Sequence, residues 1–432
     1  MMRIKKGYNL ALILISILMV GMSIDLAYSL NLRPALRSNP LSEKTIKELM
    51  YTVKEIEVTE VEIENGKALG LIMSPEDIRW EGVTVKHVLN PGVYQDELNF
   101  PGKIFLFPRV VVNETADAKG ERYVSHIGFA VLEKTTKGYK LSILNKPVLS
   151  PSYEMKNGIK VYKDGIVAYE DPRIVTIDDN IILQCTEAKK RVWHLAFHSI
   201  TKKDFKEFYE NPYAVTSLKN RLSFIKGHTK NGNIIKRQDG TFFTYLNFYY
   251  DEKLGESVLG CTAPSLSGPW KIGEPIKGLE GKKYLGRTGE SRVSIGSPSR
   301  LVRIDGKDYL FSICNESYVE GEKKFYRPIP VLFDANDPTK VIYRGSKALF
   351  ETDKVSDGQK WHPNYDVRYV CGIAHSKPKD GPLTLKDKIF VPPGEHDHHI
   401  KAVELYVHKC LKYFLSSESV EEKLLNKENI GL

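Results

Sequence analysis

Long apolar runs are scarce in this 432-residue sequence, and the one of note lies near the N-terminus. Leu10–Met22 is shorter than the roughly 20 residues that a membrane-spanning helix needs. Cations precede it and the small-residue stretch Ala27-Tyr28-Ser29 follows it, an order that is typical of a secretory signal peptide. We therefore expect residues 1–29 to direct export and to be removed, which leaves a protein without stable membrane insertion. An uncleaved N-terminal membrane anchor is the alternative.

Cysteine is also rare. The five cysteines are widely spaced and include no Cys-x-x-Cys pair, which argues against a redox motif or a zinc ribbon. An odd number cannot pair completely within one chain, and Cys185, Cys314 and Cys371 lie in apolar runs, so buried free thiols are expected. His396–His399 contains three histidines and an aspartate, but neighbours in a strand alternate faces, so at most two would converge on a metal ion. We expect no metal site and no cofactor.

Dense runs of one charge are absent. Basic residues outnumber acidic ones, 63 to 54, and the formal net charge is +9. They are dispersed as isolated pairs such as Lys202-Lys203 and Lys282-Lys283, without a basic helical stripe or a nucleic-acid-binding motif. This distribution indicates a solvated basic surface, and we expect no nucleic-acid partner. Anionic substrates are compatible with it.

Helical periodicity nearly vanishes after about Val83. Before that point, Ser42–Val58 has an N-capping serine and an apolar face, which predicts a helix. Beyond it, short alternating or apolar runs are separated by turn residues such as Asp178-Asp179-Asn180 and Ile304-Asp305-Gly306-Lys307. This pattern is typical of an antiparallel all-β fold, and so many strands in one domain favour a propeller of four-stranded blades over a sandwich. The runs are Lys103–Val112, Tyr123–Leu132, Ile174–Cys185, Val192–His198, Thr241–Phe248, Ser257–Cys261, Ser299–Ile304, Asp308–Cys314, Val367–Ile373 and His399–Val407.

The sequence suggests four segments. They are a signal peptide over residues 1–29, an N-terminal extension over 30–80, a propeller domain over 81–410 and a C-terminal tail over 411–432. The propeller range of about 330 residues would supply five blades, each somewhat longer than the common blade repeats of about 40–50 residues. The predicted fold is an all-β, five-bladed β-propeller with a short N-terminal helical extension.

The motif Glu170-Asp171-Pro172-Arg173 places two carboxylates and a guanidinium within four residues. Pro172 has no N–H and disfavours a helix at Asp171, so the acidic pair is expected at a strand edge or a turn. In an extended chain Glu170 and Asp171 would point to opposite faces, while Asp171 and Arg173 would share one. One carboxylate could then face a site beside a cation, and the other could anchor the strand. A salt-bridged turn is the structural alternative.

This motif is followed by an acidic turn and by a strand that ends in Cys185-Thr186-Glu187-Ala188. The combination resembles the signature of glycoside hydrolase family 130, which contains β-mannoside phosphorylases and some β-mannosidases on a five-bladed β-propeller. The resemblance extends from about Asn90 to Ile400. Its other matching stretches are Leu89-Asn90-Pro91-Gly92, Leu106–Val110, His126–Ala130, Lys230-Asn231-Gly232, Ile295–Pro298, Phe333–Ile342, Pro363-Asn364, Cys371-Gly372 and Gly394–Ile400.

The resemblance implies a role for each matching site residue. Glycoside cleavage needs an acid for the leaving oxygen and an attacking nucleophile. The matching motif makes Asp171 the general acid. The implied substrate-binding residues are Asn90, Arg109, Arg173, Asp397 and His399.

The phosphate-binding part of the family pattern is incomplete. Phosphorylases need a cluster of cations to hold phosphate. Lys230 and Asn231 match this cluster, but Asn247-Phe248-Tyr249 lacks an expected arginine and Ser294 replaces an expected lysine. Arg292, two residues earlier on the same strand face, could substitute for that lysine.

A hydrolase would instead need a carboxylate base for water, and Glu290 and Glu316 are the candidates. The sequence thus predicts an exported enzyme that cleaves β-linked manno-oligosaccharides with inversion. Hydrolysis is slightly favoured over phosphorolysis, in which inorganic phosphate would be the co-substrate. The alternatives are a β-mannosyltransferase of a related family and a non-catalytic sugar-binding propeller without a working acid. The sequence predicts no oligomeric state.

Overall fold

The computed structural model describes residues 50–115, 123–156, 159–189, 192–212, 221–249, 256–280, 288–351, 365–376 and 381–416. From Tyr51 onward these residues belong to one unit, which consists mostly of strands with three short α-helices. In that described part, no helix is long and apolar enough to cross a membrane.

The strands of the first half are β1 (Tyr51–Glu57), β2 (Val61–Ile63), β3 (Gly66–Met73), β4 (Val85–Tyr94), β5 (Lys103–Thr115), β6 (Tyr123–Ile127), β7 (Ala130–Lys134), β8 (Gly138–Leu144), β9 (Tyr153–Lys156), β10 (Ile159–Tyr162), β11 (Ile166–Ile177), β12 (Asn180–Lys189), β13 (Trp193–Thr201) and β14 (Arg221–Ile225). The strands of the second half are β15 (Thr229–Lys236), β16 (Phe242–Tyr249), β17 (Glu256–Ala263), β18 (Lys271–Pro275), β19 (Thr288–Ser294), β20 (Arg300–Ile304), β21 (Lys307–Glu320), β22 (Lys323–Asp334), β23 (Val341–Arg344), β24 (Tyr365–Asp366), β25 (Arg368–Tyr369), β26 (Ala374–His375), β27 (Leu383–Thr384), β28 (Lys388–Val391), β29 (Gly394–Glu395) and β30 (His399–Tyr406). The helices are α1 (Lys202–Glu210), α2 (Val407–Cys410) and α3 (Lys412–Leu415).

Antiparallel pairing divides the strands into five groups. The first runs β4–β5–β7–β8–β1, the second β11–β12–β13–β14 and the third β15–β16–β17–β18. The fourth is centred on β19–β21–β22–β23 and the fifth on β25–β29–β30–β3–β2. A single parallel residue pair, Ala168 of β11 and Ser125 of β6, joins the first two groups into one sheet.

The five groups contact one another in a closed cycle. β4 contacts β11, and β11 contacts β15, so the first three groups adjoin in chain order. β17 then contacts β19, β22 contacts β25, and β29 and β30 return to β4. A closed cycle of five antiparallel groups is a five-bladed β-propeller, which confirms the predicted fold. We call the groups blades 1 to 5, and β4, β11, β15, β19 and β25 their inner strands.

Turn chemistry explains the tight hairpins inside the blades. Asp305 and Gly306 have φ angles of 49° and 76°, the combination that a two-residue hairpin turn requires between β20 and β21. Asp178, with φ 55°, begins the turn between β11 and β12. Both turns were predicted from the sequence.

An early strand and the last strand meet in blade 5, where β3 pairs with β30. β1 pairs with β8 at the outside of blade 1, so the predicted helix over Ser42–Val58 is wrong for its second half, where Tyr51–Glu57 is a strand. Pairing with β8 overrides the local helical periodicity, which is a weak preference by itself. Residues 42–49 and 417–432 lie outside the described residues. β1 to β3 fall in the range 30–80 that the sequence analysis treats as an extension.

Apolar side chains fill the spaces between blades. α1 follows β13 and contributes Phe205 and Phe208 to an aromatic cluster with Phe105 and Phe129 of blade 1. The five cysteines are free and buried, as predicted. Many of the buried polar side chains lie instead on or beside the inner strands.

Candidate active site

Three inner strands carry the same distortion. In β4, β11 and β15, an advance of three residues along the inner strand is matched by an advance of only two along the neighbouring strand. Each of the three inner strands therefore contains one extra residue, which is a β-bulge. The bulges contain Asn90, Asp171 and Asn231, whose φ angles are 48°, 49° and 60°. Asparagine and aspartate tolerate this left-handed conformation better than most residues. A proline or a glycine follows each of them, and the two prolines cannot donate to the strand ladder.

Asp171 lies at the border of blades 1 and 2. Its Oδ1 accepts hydrogen bonds from Asn90 Nδ2 at 2.9 Å and from Arg109 Nη1 at 3.4 Å. Arg109 comes from β5, the second strand of blade 1. The Asp171 side chain is nearly buried and is held by an amide and a guanidinium. The structure therefore brings together the predicted acid and two of the predicted sugar-binding residues.

Glu170 belongs to the same site. Its Oε1 accepts from Arg109 Nη2 at 3.1 Å, and its Oε2 accepts from Lys230 Nζ at 3.1 Å. The prediction that Glu170 and Asp171 face opposite sides is therefore wrong. The extra residue of the bulge shifts the alternation of side chains, so both carboxylates reach Arg109. Glu170 is a site residue that the sequence analysis missed, and Pro172 inside a strand was the signal for the bulge.

Lys230 is held from two sides. Its ammonium bonds Glu170 and lies 4.6 Å from the centroid of the Trp193 ring. Trp193 begins β13 and packs against a small apolar cluster of blade 2. Lys230 thus has a fixed position at the border of blades 2 and 3.

Arg173 lies beneath the site. Its side chain is 1% exposed, and its Nε donates to Gly296 O at 2.6 Å while its Nη2 donates to Ile295 O at 2.8 Å. The same guanidinium donates to Asp171 O at 2.8 Å and to Asn231 Oδ1 at 3.1 Å. These bonds connect the inner strands of blades 2 and 3 to the segment that follows β19. Arg173 therefore supports the site from below, which corrects its predicted role as a substrate contact.

The other predicted phosphate ligands differ in exposure. Asn231 is buried, and its amide bonds both Arg173 and Asn247. Asn247 in turn joins blade 3 to the backbone of blade 4. Arg292 of β19 is exposed. Asn231 thus belongs to the framework, whereas Lys230 and Arg292 stand on adjoining blades.

Blade 5 supplies Asp397 from the turn between β29 and β30. Asp397 has a φ of 52°. Gly394, just before the turn, lies so close to blade 1 that a Cβ atom there would fall 2.2 Å from Asn90 Oδ1. Burial is the main cause that raises the pKa of Asp397 to about 6; Arg109 opposes the rise and Asp171 adds to it.

Two buried polar atoms near this turn make no hydrogen bond with the described residues. They are Asn90 Oδ1 and His399 Nε2. The nearest acidic oxygen to His399 Nε2 is that of Glu395, at 3.8 Å. Buried polar atoms in proteins are nearly always hydrogen-bonded, so these two are unsatisfied polar groups beside Asp397. Both residues were predicted to bind sugar.

Glu316 is held inside blade 4. Its Oε1 accepts from Ser291 Oγ at 2.8 Å and from Arg344 Nη2 at 2.7 Å, and its Oε2 accepts from Arg327 Nε at 2.7 Å. The side chain is fully buried. Because two guanidinium groups occupy its oxygens, Glu316 is not placed to activate water, which corrects its candidacy as the base. The backbone of Glu290 lies in β19, but its side chain is outside the described residues.

The histidines around Asp397 form pairs. The ring centroids of His396 and His399 are 6.3 Å apart, and the Nδ1 atoms of His87 and His398 are 3.2 Å apart. Within the described ranges, no group of three or more His, Cys, Asp or Glu side chains is arranged to hold a metal ion.

Glu170 and Lys230 lie in the starting halves of their inner strands. Along β11, Glu170 is partly exposed, Asp171 is 9% exposed and Arg173 is 1% exposed. Lys230 lies near the start of β15, and the exposed Arg292 precedes the buried end of β19. The segment that leads into β11 contains the β9–β10 hairpin.

Comparison with known families gives the identity of this propeller. A family model of glycoside hydrolase family 130, described as beta-1,4-mannooligosaccharide phosphorylase, matches residues 69–358. The chain belongs to glycoside hydrolase family 130. It is therefore an enzyme of the glycoside hydrolase and glycoside phosphorylase class, as predicted. A search of curated proteins found no match.

Solved structures resemble most of this family 130 chain. β-1,2-Mannobiose phosphorylase from Listeria innocua, in complex with β-1,2-mannobiose, is 16% identical with a TM-score of 0.53, over 79% of this chain and 96% of that one. A putative glycosidase from Bacteroides thetaiotaomicron is 15% identical with a TM-score of 0.53, over 81% and 96%. A third structure, from work on family 130 glycoside hydrolases that target β-1,2 mannosidic linkages in Candida mannan, is 16% identical with a TM-score of 0.51, over 81% and 96%. At these identities the likeness shows the fold.

Proposed function

We propose that this family 130 enzyme cleaves β-mannosidic linkages of oligosaccharides with inversion, and that Asp171 is its general acid. The observation that carries the proposal is the arrangement of Asp171, Asn90 and Asp397 around Arg109. Glycoside cleavage needs a proton for the leaving oxygen, and a single displacement from the opposite side of the sugar ring inverts its configuration. The β-mannosides named for the matching family and for the solved structures support the substrate class.

The polar groups around Asp171 suit the hydroxyl groups of one mannose ring. Asn90 Oδ1 is an acceptor without a hydrogen bond in the described residues, and the Asp397 carboxyl is a second acceptor when it is ionised. Arg109 lies between the carboxylates and can donate to ring hydroxyls. His399 Nε2 completes the set on the blade 5 side.

We favour water over phosphate as the attacking group. Arg173 and Asn231 are engaged in the framework, and the Glu170 carboxylate already pairs with Lys230, so little of a phosphate-binding cluster remains. Glu290 remains the proposed base for water. In the alternative reaction inorganic phosphate is the co-substrate, and Arg292 is the exposed cation that would bind it.

We also propose that the enzyme is exported. The support is the order of charged, apolar and small residues in positions 1–29. These positions lie outside the described residues.

The proposal is tested by product analysis. Mannobioses of different linkage and longer manno-oligosaccharides are incubated with the enzyme, with and without phosphate, and the products are separated by chromatography. We expect free mannose at a rate that does not depend on phosphate. Mannose 1-phosphate that forms only with phosphate, at a rate reduced in Arg292→Ala, would overturn the preference for water.

Asp171→Asn tests the acid. The substitution keeps the shape of the side chain and removes its ionisable proton, so turnover should fall by about 10²–10⁴-fold or more. Sugar binding, measured by calorimetry on the same protein, should persist because Arg109, Asn90 and Asp397 remain. Asp178→Asn, an exposed acidic residue at the end of the same strand, is the matched control and should keep full turnover. A wild-type protein that binds manno-oligosaccharides and cleaves none of them would replace the enzyme proposal with a sugar-binding propeller.

A further inference from the structure

The β9–β10 hairpin is not part of a blade. In the described sheets, β9 and β10 pair with each other alone. Their register places Tyr153 opposite Tyr162 and Met155 opposite Lys160. Because side chains in a strand alternate between two faces, these four side chains share one face, which we call the hairpin face.

One strand of the hairpin is attached and the other is open. Lys160 Nζ donates to Glu114 Oε2 at 2.7 Å, and the Tyr162 hydroxyl donates to Glu114 Oε1 at 2.6 Å, so β10 is anchored to the end of β5. On β9, Tyr153 is 47% exposed and Met155 is 58% exposed. The hairpin face is therefore fixed at one edge and presents apolar groups to solvent at the other.

The hairpin face is continuous with the active site. Tyr162 and Trp193 pack against the same apolar cluster of Val167, Ala168 and Ala188. The Trp193 ring lies under the ammonium of Lys230, which bonds Glu170 beside the proposed acid. Tyr153 extends the row outward, with its ring centroid 6.0 Å from that of Tyr162. A contiguous row of side chains thus leads from the acid to the open strand of the hairpin.

The chemistry of the hairpin face suits a sugar chain. The rings of Tyr153 and Tyr162 offer apolar faces with a polar edge, and the Lys160 ammonium lies 4.5 Å from the centroid of Tyr153. Pyranose rings present the same combination, an apolar C–H face bordered by hydroxyl groups. The opposite face of the hairpin is different, since Glu154 and Lys156 form an exposed ion pair there.

We propose that the hairpin face binds mannose units beyond the linkage that is cleaved. This inference rests on the proposed function, because it extends the same site. The preferred substrate is then an oligosaccharide of several β-linked mannose units, and Tyr153 and Met155 determine the preference for chain length.

The test compares chain lengths. Affinities for a β-mannobiose and a β-mannopentaose of the same linkage are measured by calorimetry in the Asp171→Asn background, where turnover is slow. We expect tighter binding of the pentaose, and Tyr153→Ala should lower the ratio of pentaose to biose affinity by roughly three- to tenfold, as one lost aromatic contact would. Met155→Ser should lower the ratio by a smaller factor. Tyr413→Ala, a similarly exposed tyrosine on α3, is the control and should leave the ratio unchanged.

Two results would overturn the inference. One is equal binding of both sugars by the protein with Tyr153 intact. The other is an unchanged ratio in Tyr153→Ala, and if that variant also dissociates a dimer in sedimentation, the hairpin face is a contact between two copies of the chain. Because binding is read without turnover, either result is distinct from failure of the proposed cleavage, which would appear as wild-type protein that releases no product.

Discussion

Asp397 links the stability of this enzyme to pH. Its pKa is near 3.8 in the unfolded chain and about 6 in the fold, so between these values the folded state binds a proton that the unfolded state has lost. Stability should therefore fall as pH rises from about 4 to 6 and stay low above that. Asp397→Asn removes the cost of the ionised form, so it should be more stable than wild type at pH 7 by about 1–2 kcal/mol, after allowance for partial exposure.

The measurement is the melting temperature of wild type and Asp397→Asn between pH 4 and pH 8. The difference should be largest at pH 7 and above, and should shrink toward pH 4, where Asp397 is protonated in the folded state. Asp178→Asn controls for the general effect of removing one acidic residue. A difference that is constant with pH would contradict the assignment.

Single residues also show where sequence reasoning succeeds and where it stops. Asp171, Asn90 and Arg109 were predicted because each lies in a short stretch that resembles a family motif, and the structure brings them together. Glu170 was assigned to the wrong face because regular alternation was assumed across Pro172. The structural role of Arg173 could not be predicted from the sequence. Its hydrogen-bond partners include the backbone carbonyls of Ile295 and Gly296, which are more than 120 residues away. Carbonyl groups carry no sequence signal.

The bulge of β11 depends on Arg173 for its support. Arg173→Met would keep much of the volume and leave the carbonyls of Gly296 and Ile295 buried without a donor, at about 1–3 kcal/mol for each unsatisfied group. The free energy of unfolding in urea should therefore fall by several kcal/mol. The matched control is Arg292→Ala, which removes an exposed cation from β19, the inner strand of blade 4. This variant should change stability by about 0.5 kcal/mol or less. Unchanged stability with weakened sugar binding would restore Arg173 as a substrate contact.

Strands and turns differ in how far the sequence predicts them. The hairpin turns at Asp178 and at Asp305-Gly306 were predicted because left-handed turn positions select a few residue types. The strand β1 was mistaken for a helix because its pairing with β8 lies almost 90 residues along the chain, beyond any local pattern. The bulges were not predicted, because strands are located by assuming that side chains alternate regularly between two faces. An extra residue interrupts that alternation.

The whole propeller is closed by the pairing of β3 with β30. A Cβ atom on Gly66 would lie 1.9 Å from the carbonyl oxygen of Glu404, so Gly66→Ala should force these strands apart. We expect a loss of roughly 1–3 kcal/mol in the free energy of unfolding, as in other overpacked sites. Thermal and urea unfolding check it. The control is Leu71→Ala, at an exposed position of the same strand, which should have little effect on stability. If both variants are equally stable, the pairing of β3 with β30 accommodates the added methyl group and the prediction is wrong.

The number of blades was predictable because it follows from the count of strand-like runs and from the family resemblance. The N-terminal strand that completes the last blade was not, since β30 pairs with β3 from the other half of the chain.

The left-handed backbone at Asn90, Asp171 and Asn231 limits how this enzyme can be redesigned. At φ angles near 50° to 60°, the residue types that tolerate the backbone conformation are essentially Asn, Asp and Gly. This limit holds for any substrate that the redesigned site is meant to bind. In a combinatorial library that randomised every residue of the site, most substitutions at these positions would cost about 1–2 kcal/mol each in stability. New substrate preferences are therefore more accessible at positions with ordinary backbone geometry, such as Arg109 and Lys230, and the bulge residues should stay almost invariant in any selected population.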